Sequence, residues 1–159
     1  MIAGFTQAQV IITDQANPTP TNSSVLLEFG NTEAKGIILP SVDEAPSAVG
    51  GTFVVNTTDK AVQFYDGTDW IDLTKAGEAV ANPYVNAGTA DVGQGIIIGA
   101  DTTTKPGVLV LESTTQAMVL PKVASPQDNM PSPVAGTIVY DTDSDMLAVY
   151  DGKEWSYWK

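Results

Sequence analysis

Three sets of side chains in this sequence have types and spacings that could do chemistry. The first is Asp141-Thr142-Asp143-Ser144-Asp145, where carboxylates alternate as oxygen ligands do at the first, third and fifth positions of a calcium loop. That loop requires Gly at its sixth position and Glu at its twelfth, and the chain has Met146 and Gly152 there. Asp141, Asp143 and Asp145 are therefore weak metal candidates, and a polar turn between strands accounts for them better. The second set is the carboxylate pairs Asp66/Asp69 and Asp151/Glu154, which have the residue types of an acid and a base. Each flanks an Asp-Gly pair, so hairpin chemistry explains them first. The third set is aromatic: Trp70, Trp155 and Trp158 with Tyr65, Tyr150 and Tyr157 could form a platform for sugars or a packed core.

What is absent narrows the chemistry further. The chain has no histidine, no cysteine and no arginine. That removes the usual general base near neutral pH, thiolate ligands and the bidentate phosphate clamp. The reading is non-enzymatic, with no catalytic residue and no cofactor. A formal net charge of −12, from 19 acidic and 7 basic side chains, repels a phosphate backbone and excludes nucleic acid as the expected partner. No run of about 18 apolar residues is present to span a membrane.

The elements that must position these groups are strands. Gly136 to Trp155 (GTIVYDTDSDMLAVYDGKEW) alternates apolar and polar residues between two Asp-rich turns, the pattern of an antiparallel meander with one buried face. Gly51 to Trp70 (GTFVVNTTDKAVQFYDGTDW) repeats it without a gap at an offset of 85 residues. Gly51/Gly136, Thr57/Thr142, Tyr65/Tyr150, Asp66/Asp151, Gly67/Gly152 and Trp70/Trp155 are identical pairs. Upstream, Ile37-Ile38-Leu39-Pro40 answers to Met118-Val119-Leu120-Pro121, and Ser24 to Leu27 answers to Gly107 to Val110. A repeat of this kind sets the architecture.

The expected fold class is all-β: two tandem small antiparallel units, meander- or sandwich-like, with little helix. Residues 1–8 are read as the remnant of a signal peptide or an N-terminal arm. Residues 9–73 form the first repeat, 74–94 a Gly/Ala/Asn-rich junction, and 95–159 the second repeat. One helical turn is allowed after Ser41, a possible N-cap with Glu44 three residues on. The proline-punctuated loop from Pro121 to Pro133 is expected to lack helix. Trp70 and Trp155 share a repeat position, which assigns them to packing. Trp158 has Leu73 as its counterpart and, with Tyr157, is a candidate for an assembly contact. So are Val10, Ile11 and Ile12, either as an exchanged strand completing a neighbour's sheet edge or as the first strand of their own unit.

The stretch Val108-Leu109-Val110-Leu111-Glu112-Ser113-Thr114-Thr115, with Leu120-Pro121, Gly136 to Asp143 and Tyr150 to Trp155, resembles a repeat of secreted Bacteroidota surface proteins and of phage fibre-like proteins. That repeat has the form STTxGxLLP…GxIVYNTDTxxLxxYDGxxW. The Arg that usually follows its Leu-Pro is Ser41 in one copy here and Lys122 in the other, and its usual helix is interrupted by Pro46, Pro126, Pro131 and Pro133. The resemblance implies a secreted, cell-surface structural protein that associates with copies of itself, as a filament or fibre subunit. The alternative is a trimeric phage fibre or capsid decoration protein, located in a virion. A third reading is a module that binds surface glycans through Trp158 and its neighbours.

Overall fold

The computed structural model describes residues 9–16, 18–19, 21, 24–30, 34–79, 95–105 and 107–159. The expected N-terminal remnant and most of the expected junction lie outside them. The strands of the first repeat are β1 (Val10–Ile12), β2 (Val25–Phe29), β3 (Ile37–Ile38), β4 (Ser41–Val42), β5 (Thr52–Asn56), β6 (Ala61–Tyr65) and β7 (Trp70–Asp72). Those of the second are β8 (Ile96–Ile98), β9 (Leu109–Leu111), β10 (Ala117–Val119), β11 (Lys122–Val123), β12 (Thr137–Asp141), β13 (Met146–Tyr150) and β14 (Trp155–Trp158). A single four-residue helix, α1 (Pro126–Asn129), is the only helix among the described residues.

The protein is all-β, as its alternation requires, but its strands are not two purely antiparallel meanders. Of the ten strand pairings among the described residues, β1–β2, β2–β10, β4–β5, β8–β9 and β11–β12 are parallel. Parallel pairing of short strands is the pairing of a β-solenoid. Its physical origin lies in the apolar runs Val25-Leu26-Leu27 and Ile96-Ile97-Ile98, which do not alternate. A strand apolar on both faces suits a parallel ladder rather than a half-solvated antiparallel one, and β2 is covered on both sides while β8 keeps Ile96 exposed.

The described residues fall into two compact units, Met1–Thr32 with Gly93–Val119, and Glu33–Val92 with Leu120–Lys159. This division differs from the repeat boundaries at 73 and 95, because each unit draws on both repeats. The first unit gathers parallel strands: β1–β2–β10 in one sheet and β8–β9 in another. Val25, Leu26 and Leu27 are at most 2% exposed and form its centre. Gly99 at φ +99 lets the chain pass Glu112, since a Cβ there would stand 2.2 Å from the Glu112 carbonyl oxygen.

The second unit holds both meanders, β4–β5–β6–β7 and β11–β12–β13–β14, with β3 added to β12. One core takes Leu39, Val55, Val62, Leu73, Ala79, Ile138 and Val149, with Phe53, Phe64, Leu120 and Leu147 packed against it. Burying each such aliphatic side chain contributes about 1.5–3 kcal/mol. Both hairpins turn through a left-handed residue, Lys60 at φ 52 and Asp145 at φ 56, and both Asp-Gly turns use positive φ at Gly67 and Gly152. The repeats thus share local geometry as well as sequence.

Two local expectations are corrected. Ser41 does not cap a helical turn but begins β4, which lies parallel to the start of its meander. Val55 N–H donates to the Pro40 carbonyl at 2.8 Å and Thr57 N–H to the Val42 carbonyl at 2.9 Å. The second repeat makes the same bonds, Tyr140 N–H to Pro121 and Thr142 N–H to Val123. The sheet edge offers these residues backbone partners that a helical turn broken by Pro46 could not. In the other direction, the Pro-rich loop does contain a helix. Pro126 sits in its first turn, where a missing N–H costs nothing, and Ser125 enters it at φ 44.

Candidate assembly surfaces

The DTDSD segment is a self-satisfied turn. Asp141 ends β12 and is buried, its Oδ1 accepting from Ser125 N–H at 2.9 Å and Asp143 N–H at 3.0 Å, and its Oδ2 from Ser144 Oγ at 2.6 Å. Burial pushes the Asp141 carboxyl up, but the Ser144 hydroxyl and the N–H groups of Asp143, Ser125 and Ser144 together hold it below the usual carboxylate range. Asp143 accepts from Ser125 Oγ, and Asp145 from the Tyr140 hydroxyl. The three carboxylates accept from five different donor groups, and among the described residues they are not a group converging on one cation.

The paired carboxylates at the Asp-Gly turns are ordered in the same way. Asp66 Oδ1 accepts from the N–H groups of Thr68 and Asp69, and Asp151 Oδ1 from those of Lys153 and Glu154, all at 2.7–2.8 Å. Trp70 packs on Tyr65 with ring centroids 5.1 Å apart, and Trp155 on Tyr150 at 5.2 Å. The recurrence of one contact at one repeat position is a packing feature. Trp155 and Tyr157 also line an open depression with Gln127, Asp141 and Ser144.

The candidate contact residues divide between the units. In the first, Val10 and Ile11 are half-buried while Ile12 is exposed, and β1 pairs with β2 of its own chain from Val10↔Leu27 to Ile12↔Phe29. The Gln9 side-chain amide donates to the Val25 carbonyl at 2.9 Å, which fixes the start of β1. In the second unit, the Tyr157 hydroxyl donates to Gln127 Oε1 at 2.5 Å and Trp158 Nε1–H donates to the Leu73 carbonyl at 2.6 Å. Both rings remain partly exposed.

Sequence reasoning passed over the largest apolar exposure. Ile96 is 65% exposed, Val108 63% and Leu109 43%. Ile96 and Leu109 stand directly opposite each other on β8 and β9, so their side chains share a face. The clue was in the composition of these runs. Neither Ile96-Ile97-Ile98 nor Val108-Leu109-Val110-Leu111 alternates, so one apolar face is left over once the other is buried. An uncharged apolar face on a chain of net charge −12 is what an association surface requires.

No described helix is long and apolar enough to cross a membrane. Searches of the curated proteins and of the solved structures returned no match. Residues 97–159 do match a known family, and they take in β9 through β14 and most of β8. That match lies on the phage fibre-like side of the resemblance and lends nothing to an extracellular filament. Over those residues the chain is similar to the phage tail like trimerisation region.

Proposed function

We propose that this chain is a structural module of a phage tail fibre-like particle that associates as three copies of itself, with no catalytic role. The match of residues 97–159 to a trimerisation region carries the reading. The exposed apolar side chains of Ile96, Val108 and Leu109 support it, because Ile96 stands one residue before the matched region and the other two lie within it. Their exposed fractions amount to roughly two whole aliphatic side chains. Covering them is worth about 3–5 kcal/mol per protomer, at about 1.5–3 kcal/mol for each fully buried side chain.

Sedimentation equilibrium across a hundredfold range of concentration tests this. Three copies of a 16.7 kDa chain give a species of about 50 kDa. The Ile96→Asp/Leu109→Asp variant should shift the equilibrium towards monomer while keeping a β-type circular dichroism spectrum. A wild-type monomer at every concentration would defeat the proposal, and long polymers would restore the filament reading in its place.

A further inference from the structure

The second unit contains a carboxylate that its hairpin chemistry leaves half satisfied. Asp151 is fully buried at 0% exposure. Its Oδ1 is taken by the N–H groups of Lys153 and Glu154 at 2.7 and 2.8 Å, but its Oδ2 has no hydrogen-bond partner. An ionised oxygen removed from water without a donor is costly, and the usual remedies are a hydrogen bond, a cation or a proton. Asp66, at the equivalent position of the first repeat, makes the same turn bonds but lies exposed, open to solvent.

Two more carboxylates surround Asp151. One oxygen each from Glu78, Asp151 and Glu154 lies within 4.8 Å of the others. Glu154 comes from the same turn. Glu78 comes from the segment after β7, which is pinned to the β5–β6 hairpin: Gly77 N–H donates to the Asp59 carbonyl at 2.8 Å, and the N–H groups of Glu78 and Ala79 to the Lys60 carbonyl. Ala79 is buried in the core, so Glu78 is held in place by its neighbours on both sides. Oxygens about 2.3–2.6 Å from a common centre stand up to about 5 Å apart, which is the spacing of ligands around Ca²⁺.

From this geometry we infer that Glu78, Asp151 and Glu154 form a calcium site, with Asp151 Oδ2 as the buried ligand and water completing the coordination. A hard cation suits an all-oxygen set, and Ca²⁺ tolerates the irregular, partly hydrated geometry better than Mg²⁺ does. Lys75 pairs with Glu78. Its ammonium is well exposed, and such a surface pair is weak enough for a divalent ion to displace. The ion would join the last hairpin of the chain to the segment following β7.

Terbium supplies the probe, because Trp155 beside the site can sensitise its emission. Saturable emission that Ca²⁺ competes away, with a thermal midpoint that rises with CaCl₂, is the expected result. Glu78→Gln and Glu154→Gln should each weaken binding at least tenfold. Asp151→Asn keeps the Oδ1 acceptor for the turn and should abolish binding in a folded chain. Lys75→Gln should tighten binding severalfold by removing the competing ammonium. The inference is overturned if a folded chain shows no saturable response to millimolar Ca²⁺ or Tb³⁺, or if emission is indifferent to Glu78→Gln and Glu154→Gln. It is equally overturned if Lys75→Gln lowers the midpoint and Ca²⁺ does not restore it, for then lysine is the resident cation.

Discussion

Gly51 and Gly136 occupy the same position in the two repeats, which makes them an internal control for one another. Both open a meander with positive φ, +95 and +84. Both N–H groups donate 2.8 Å bonds to the equivalent tyrosine carbonyls, of Tyr65 and Tyr150. Their surroundings differ. A Cβ added at Gly51 meets nothing within 4 Å, whereas at Gly136 it would stand 2.5 Å from Val55 Cγ2 and 3.3 Å from the Leu39 carbonyl oxygen. Val55 is 1% exposed and has nowhere to retreat. Gly51→Ala therefore carries only the backbone penalty, about 1–2 kcal/mol. Gly136→Ala carries that penalty plus overpacking of about 1–3 kcal/mol. Urea unfolding at one fixed protein concentration reads the difference without interference from self-association. Adding Val55→Ala removes the clashing methyl, so the double variant should recover at least about 1 kcal/mol of coupling. Equal losses for the two alanines, or strict additivity with Val55→Ala, would refute the reasoning.

Two further outcomes follow from hydrogen bonds already described. Trp158→Phe leaves the Leu73 carbonyl without its indole donor, and should cost about 1 kcal/mol. Calorimetry should show this as a drop of about 2–4 °C in Tm, and an unchanged Tm would mean that the bond contributes nothing. The second concerns acid. Asp141 is held low by the Ser144, Asp143 and Ser125 donors despite its burial, and Glu112 is held low by the Lys105 ammonium and the Thr103 hydroxyl. Because their folded pKa values are depressed, the stability they contribute is present above the unfolded carboxylate range of about 3.9–4.3 and is lost as pH falls through the folded values. Tm should be flat from pH 7 to about 5 and fall below that, with Asp141→Asn flattening the acid limb. A midpoint that holds or rises down to pH 3 would contradict this assignment.

The parts of the fold that were legible in the sequence are those set by local chemistry. Alternation in Thr137 to Tyr140 and the Asp-Gly turns at 66–67 and 151–152 specify hairpins by themselves, and the structure has them in register. What was not legible depends on partners far along the chain. β4 and β11 are two residues long and exist only because a neighbouring strand offers its free carbonyl and N–H groups. The parallel pairing of β2 with β10 joins residues about 90 positions apart, and no period in the sequence reports it. Proline breaks a helix in its interior, but Pro126 stands in the first turn and starts one. In the acidic cluster, Asp151 and Glu154 were visible as a pair. Glu78 sits in a segment without periodicity, and only the folded chain brings it to them.

The bond from Trp158 to Leu73 has a consequence for how this unit came to hold together. Those two residues are one and the same repeat position, and they touch. Phe53 and Ile138, Val62 and Leu147, and Phe64 and Val149 are likewise equivalent positions that lie in or against one core. The likeness to an isologous dimer contact is confined to the meanders, since β3 pairs with β12 whereas its repeat counterpart β10 pairs with β2. A true dimer must place identical residues on both sides of its axis and depends on concentration to stay together. Two repeats on one polypeptide are free of both constraints: the second half is always at hand, and a large ring can stand opposite a small aliphatic, as Trp158 does at Leu73.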